Sequence, residues 1–479
     1  MNGKKLTPGN RVTDEPIPVP KGDCGKLTSG SIPQHFRSMA VPMAIGMVFS
    51  TLYAVVDTFY AGLISTDAQA GLVIASQVFM LLIALGFGLS TAMGALIGNA
   101  LGEKISTDAR QLACQGIVFG MGTSIIISAV GYFYSADILS VISKPGAYQD
   151  AAIDYLQLLL FGAIAFLLAF GANGILQAQG NMKAMQRAQV WAFFANLGLN
   201  PLFIFGIPNM LPAMGFTGIA VSTLVSQSGV LVYVLYRVFK SDLMIGATRA
   251  LFLPKFKDNM TILTQALPSS FSIIVMMLAG IVVQFFLKEF GANAVAGFGV
   301  ALRLEQLLLL PAFGLTGSLL PIAAQNFGAG DYDRVREATR YCLKVGCVLM
   351  VGAMVIIWLV GDSAISLFTS DPEVIRYGIG YLRVDSIILP VYVALFTINS
   401  IFQAFKKPIW SVWIGIYRQG IGVALFSYIG IVYLQLGVFG IWFGIVTSVI
   451  TGLILSLFLV ERIARKEIGG LLFIKHKQS

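Results

Sequence analysis

Apolar residues in this chain come in long unbroken blocks, and polar residues gather in the short intervals between them. A helix of about 20 apolar residues crosses the ~30 Å hydrocarbon core of a bilayer. Twelve blocks of that order occur, over residues 38 to 62, 71 to 100, 113 to 135, 151 to 177, 190 to 207, 215 to 238, 264 to 288, 293 to 325, 341 to 366, 377 to 402, 410 to 433 and 438 to 460. They predict an all-α membrane protein of twelve transmembrane helices.

The blocks fall into two sets of six, because a shift of 226 residues lays the chain on itself. Pro42 then meets Pro268, Phe87-Gly88-Leu89 meets Phe313-Gly314-Leu315, Gly102 meets Gly328, and Asn173-x-Ile175-x-Gln177-Ala178 meets Asn399-x-Ile401-x-Gln403-Ala404. After a four-residue slip the register resumes at Gly215-x-x-Gly218-Ile219 against Gly437-x-x-Gly440-Ile441. Internal repeats in an apolar chain mark transporters, whose substrate path runs between related halves that rock against each other. The repeat divides the chain into a first lobe over 36–238, a linker over 239–263 and a second lobe over 264–460. A polar, disordered tail is expected over 1–35 and a basic tail over 461–479.

Composition strengthens the membrane reading: 57% of residues are hydrophobic, 11% are charged, and the mean hydropathy is +0.81. The net charge of +9 adds orientation, since Lys and Arg are retained on the cytoplasmic side. With the first tail inside, the basic residues of 104–110, 183–187, 237–257, 334–344 and 406–407 and of both tails are cytoplasmic. Only Lys144, Lys288 and Arg376 fall outside, while Arg303, Arg383 and Arg418 lie within blocks. Both termini are therefore expected in the cytoplasm of a plasma (inner) membrane protein, and the charge gives no support to nucleic-acid binding. No secretory signal is read in the first 35 residues.

Cysteine and histidine narrow the chemistry. Cys24, Cys114, Cys342 and Cys347 lack metal-ligand spacing, and His35 and His476 both sit in the tails. No imidazole is available within the membrane as a catalytic base, which argues against an enzyme. No glycine-rich phosphate loop followed by Lys occurs. No cofactor and no structural metal are expected.

Ionisable residues inside spanning helices are costly and by default mark ion or substrate paths. Asp57 lies in the first block, Glu305 in the eighth and Asp385 in the tenth. None recurs in the repeat, where Val283, Phe79 and Leu159 stand opposite them. Arg303 and Arg383 each precede an acid by two residues, a spacing that cannot face on one helix. Cross-helix pairs, Arg303 with Asp385 or Arg383 with Glu305, are expected, with a structural role weighed evenly against a functional one. Asp57 has no basic residue nearby on its own helix. A carboxylate in that setting suits proton uptake and release; the alternative is one satisfied by neighbouring Ser, Thr or Asn. In the fifth block, Asn196 and Asn200 share a helical face, and Pro201 frees the carbonyl of Leu197.

At Val56-Asp57-Thr58-x-x-Ala61-Gly62, Gly98-Asn99-Ala100-Leu101-Gly102, Asn196-x-x-x-Asn200-Pro201-Leu202-Phe203-Ile204-Phe205-Gly206 and Gln325-Asn326-Phe327-Gly328-Ala329-Gly330-Asp331, the chain resembles the multidrug and toxic compound extrusion (MATE) transporters. The resemblance implies two pseudo-symmetric six-helix lobes about an axis normal to the membrane, and a cleft open alternately to either side. It also implies exchange of a drug-like, often cationic substrate for a proton or sodium ion, coupled at Asp57 with Asn196, Asn200 and Thr223 around it. Many members carry Asp at the position of Asn200, so Asp57 is left as the sole acid of the cluster, with Glu305 and Asp385 as second-lobe candidates. The expected activity is secondary active efflux by a monomer, with the proton as the simpler coupling ion and sodium at Asp57 as its rival. The alternative function is that of a lipid-linked saccharide flippase of the same superfamily.

Overall fold

The computed structural model describes residues 26–471. The first lobe is built from α1 (Ile32–Ile64), α2 (Thr66–Gly102), α3 (Ser106–Ile142), α4 (Ala147–Phe161), α5 (Ala163–Ala178), α6 (Lys183–Phe205) and α7 (Thr217–Phe239). The second lobe follows as α8 (Phe256–Leu287), α9 (Ala292–Gly328), α10 (Tyr332–Ser366), α11 (Pro372–Ala404), α12 (Ile409–Gly415), α13 (Val423–Tyr428) and α14 (Phe439–Glu467). Eleven stretches among the described residues are long and apolar enough to cross a membrane. The pair α4 and α5, bent by 49° at their junction, makes the twelfth.

Local chemistry explains the breaks. Ser65 ends α1 in extended backbone and caps α2 by accepting from the Ala68 N–H at 3.0 Å, which satisfies one of the orphan donors of a helix start. Asp331 and Asp371 cap α10 and α11 in the same way. At Gly162 a Cβ would lie 2.2 Å from Leu224 Cδ2, so α7 packs into the notch where α4 turns into α5. The eleventh span, Ile409–Tyr433, holds two π-helical stretches, Ile416–Gly422 and Ile429–Tyr433.

The repeat is written into the contacts between lobes. The Asn99 amide donates from α2 to the Ala404 carbonyl at 3.0 Å, and Gln325, its repeat partner, donates from α9 to the Ala178 carbonyl at 2.6 Å. Ala178 and Ala404 are themselves repeat partners. The same reciprocity holds for close backbone approach: a Cβ at Gly102 would sit 2.0 Å from the Gln325 carbonyl oxygen, and one at Gly328 would sit 2.1 Å from that of Asn99. Gly88 packs on Ala266 and Ser270 of α8, and Gly314 packs on Ala40 and Ala44 of α1.

All these contacts lie in the half of the bundle that carries the basic loops, with those of Gly88 and Gly314 nearest mid-membrane. A mixed core there joins Phe36, Met39 and Ala95 of the first lobe to Leu319, Ile401 and Phe402 of the second. Toward the other end each lobe keeps its own core, one around Leu72, Leu156 and Ile219 and the other around Phe298, Leu382 and Trp442. The lobes thus close on each other at the basic end and part toward the opposite one.

Residues 26–35 depart from the expected disordered tail, whose first 25 residues lie outside the described range. Lys26–Thr28 form a 3-10 turn, and α1 starts at Ile32. Leu27 is buried, its N–H donates to Gln325 Oε1 at 3.1 Å, and its carbonyl accepts from Asn326 at 3.0 Å and Arg334 at 3.2 Å. The segment between the lobes also folds: Gln115 donates to the carbonyls of Leu251 and Leu253, both at 2.7 Å, and Arg110 donates to that of Leu243 at 2.9 Å. Residues 461–467, expected in the basic tail, belong to α14.

Candidate functional site: a buried carboxylate among amides

Asp57 is 6% exposed and sits in the half of α1 farther from the basic loops. Asn196 and Asn200, one turn apart on α6 and both fully buried, donate to its Oδ1 at 3.1 and 2.9 Å. Thr223 on α7 donates to Oδ2 at 3.2 Å. The two amides are tied together, Asn200 donating to Asn196 Oδ1 at 3.1 Å, and Asn196 donating to Ser222 Oγ at 3.3 Å. Three helices of one lobe therefore converge on one carboxyl group. Every partner is a neutral donor, and no cation pairs with it among the described residues.

The structure brings together all four residues named for the first lobe, Asp57, Asn196, Asn200 and Thr223. It adds three oxygens that sequence reasoning missed: Tyr53, one turn before Asp57; Ser226, one turn after Thr223; and Ser222. The Tyr53 hydroxyl, Ser226 Oγ and Asn200 Oδ1 are buried without a hydrogen-bond partner, so they are free acceptors beside the carboxylate. The i−4 spacing of Tyr53 from Asp57 was the available signal. Pro201 stays inside a continuous α6. The Leu197 carbonyl that it frees accepts from the Tyr60 hydroxyl of α1 at 3.4 Å, so this oxygen is claimed by a side chain.

The second-lobe expectation needs correction. Neither proposed ion pair forms. Arg383 pairs with Asp362 at 2.7 Å on the exposed side of α11, and Arg303 is exposed on α9. Glu305 and Asp385 are 7% and 1% exposed and are met by phenols instead: Tyr381 donates to Glu305 Oε2 at 2.6 Å and Tyr392 to Asp385 Oδ1 at 3.0 Å. Helix periodicity explains the miss, because Arg303 and Arg383 stand two residues from their acids and point away from the packed faces that bury those acids.

A family model, MatE, matches the chain twice, over residues 42–202 and 268–429. The chain belongs to the MatE family. This MATE transporter is 26% identical over 427 residues to a protein of Thermotoga maritima described as "Probable multidrug resistance protein NorM", covering 88% of this chain and 90% of the relative. It is also 26% identical over 404 residues to an "FAD transporter" of Shewanella oneidensis, covering 82% and 86%. A solved structure titled "Outward-facing conformation of a multidrug resistance MATE family transporter of the MOP superfamily" superposes with a TM-score of 0.86 at 24% identity, over 94% of this chain and 99% of that one. That likeness shows the fold: two six-helix lobes in a twelve-helix MATE membrane protein.

Proposed function

We propose that this MATE transporter exports lipophilic, often cationic compounds in exchange for protons, with Asp57 as the group that carries the proton. The single observation behind the reading is the geometry at Asp57: one buried carboxylate, three neutral donors and no cation among the described residues. With its proton absent, the carboxylate accepts all three hydrogen bonds. With the proton present, one oxygen also carries an O–H donor that needs an acceptor of its own. The free Tyr53 hydroxyl, Ser226 Oγ and Asn200 Oδ1 supply places for that donor to go. Proton occupancy at α1 is thereby linked to how α1 packs on α6 and α7, the kind of two-state difference that a bound ion can bias.

The proton is preferred to sodium because sodium needs several oxygens and compensating negative charge, and here a single acid stands beside Asn200. The excess of Lys and Arg at the closed end supports a cytoplasmic position for that end in the plasma membrane, with the parted end outside; the reading takes the transporter as a monomer. Drug efflux from vesicles tests the ion. Export should follow an imposed pH gradient and vanish in Asp57→Asn. Sodium-driven export at equal pH and clamped potential, insensitive to a proton ionophore, would reverse the assignment.

A further inference from the structure

Within the second lobe lies a cavity that the ion-coupling reading leaves unused. It has a volume of about 70 Å³ and is lined by Arg418 and Gln419 of the eleventh span, with Ser411, Asn399, Ser272 and Met276. One water needs about 10 to 15 Å³ of such space, so the cavity has room for several waters or for a small acidic group. Ser411 is 8% exposed with an unpartnered Oγ. Arg418 makes no side-chain hydrogen bond or ion pair among the described residues. Its surroundings hold it in place. Its stem lies on α14, where a Cβ at Gly452 would be 3.1 Å from Arg418 Cδ, and its carbonyl accepts from Ser448 at 2.6 Å. Its guanidinium stands 5.9 Å from the centre of the Tyr392 ring.

Nearby acids do not occupy this group. Glu305 is within electrostatic reach of Arg418, yet its Oε2 is held by Tyr381, and Asp385 Oδ1 by Tyr392. Five guanidinium N–H donors in a fixed fork, backed by an aromatic face and flanked by a serine hydroxyl and a glutamine amide, make a receptor for a planar or tetrahedral anion. Opposite Arg418 stands Ala192 at the 226-residue shift and Asn196 at the shift that holds after the slip, so the cation is not part of the shared scaffold. We propose that this cavity is a subsite for an acidic group, carboxylate or phosphate, carried by the transported molecule. The subsite extends the substrate range of the exporter to aromatic anions, and it rests on the export reading only in that the bound molecule is a substrate.

The test uses the full chain in detergent and two fluorescent probes, 7-diethylaminocoumarin-3-carboxylate and its ethyl ester, with binding read by anisotropy. Wild type should bind the acid at least about tenfold more tightly than the ester, the range expected of a charge-assisted contact. Inorganic phosphate should compete with the acid alone. Arg418→Gln should erase the preference and Arg418→Lys keep part of it, with thermal unfolding of each variant measured beside wild type to show that it folds. Equal affinity for acid and ester in wild type overturns the subsite without needing any variant to fold. Loss of acid binding when phosphatidylglycerol is added, with no uptake of the acid by proteoliposomes, assigns the cavity to a lipid headgroup and also overturns it. Ethidium export that persists while acid preference is absent leaves the export reading standing; absence of any gradient-driven export of ethidium defeats that reading instead.

Discussion

Asp57 and Arg303 are both ionisable residues within spanning helices, and they show how differently one charge can be housed. Asp57 is enclosed by amides and a hydroxyl, so Asp57→Asn replaces an acceptor by an amide of the same shape and leaves no stranded charge. The variant should fold and bind drug as wild type while losing export against a gradient, which separates binding in detergent from transport in vesicles. Arg303 is exposed and touches neither buried acid. Arg303→Gln should therefore express and unfold like wild type. Tyr381→Phe should lower the unfolding temperature measurably, because Glu305 loses its 2.6 Å donor in a buried site, a loss of about 1 to 3 kcal/mol. A low yield of Arg303→Gln together with a normal Tyr381→Phe would reverse this assignment of partners.

Helix breaks carry the next level of design. At the 49° bend between α4 and α5, Gly162 leaves room for the Leu224 side chain. Gly162→Val should strain that junction by about 1 to 3 kcal/mol, the usual range for overpacking. Gly122→Ala in α3, where nothing lies within 4 Å of a new Cβ, should be neutral or slightly stabilising. Thermal unfolding of the two variants beside wild type checks the contrast, and equal stability would show that the bend does not depend on the glycine.

At the scale of the whole molecule, closure rests on a reciprocal contact between repeat partners. Gly98 and Ala324 are repeat partners that face each other, an ideal Cβ at Gly98 lying 3.0 Å from that of Ala324, close to disulfide reach. In a background without the native cysteines, Gly98→Cys with Ala324→Cys should cross-link on oxidation and stop transport, and reduction should restore it. Undiminished transport by the cross-linked protein would mean that the basic end need not open. Reporter fusions active outside the cytoplasm should be active at Gly146, Gly291 and Gly437 and silent at Lys104, Lys255 and Lys407. Activity at Lys255 would defeat the parallel arrangement of the lobes.

The twelve-helix membrane fold and its two-lobe repeat were legible in the sequence because both are one-dimensional facts: the length of apolar blocks and the recurrence of residues at a constant shift. Asp57, Asn196 and Asn200 were legible for a related reason, since a charge or a paired amide in an apolar block is costly and stands out against its neighbours. Partners were not legible. Arg303 and Arg383 looked like mates for Asp385 and Glu305 by charge alone, but the azimuth of each residue around its helix decided otherwise and gave the acids to Tyr392 and Tyr381. Tyrosine in an apolar helix carries no signal of its own, because its ring reads as packing and its hydroxyl matters only once a second helix supplies an acceptor. The turn at Leu27 looked like tail for the same reason, as a short polar stretch gains order only from Gln325, Asn326 and Arg334, some 300 residues away along the chain. What tertiary structure decided is therefore every contact between helices, since hydropathy specifies that a segment is buried in the membrane and leaves open which face meets which neighbour.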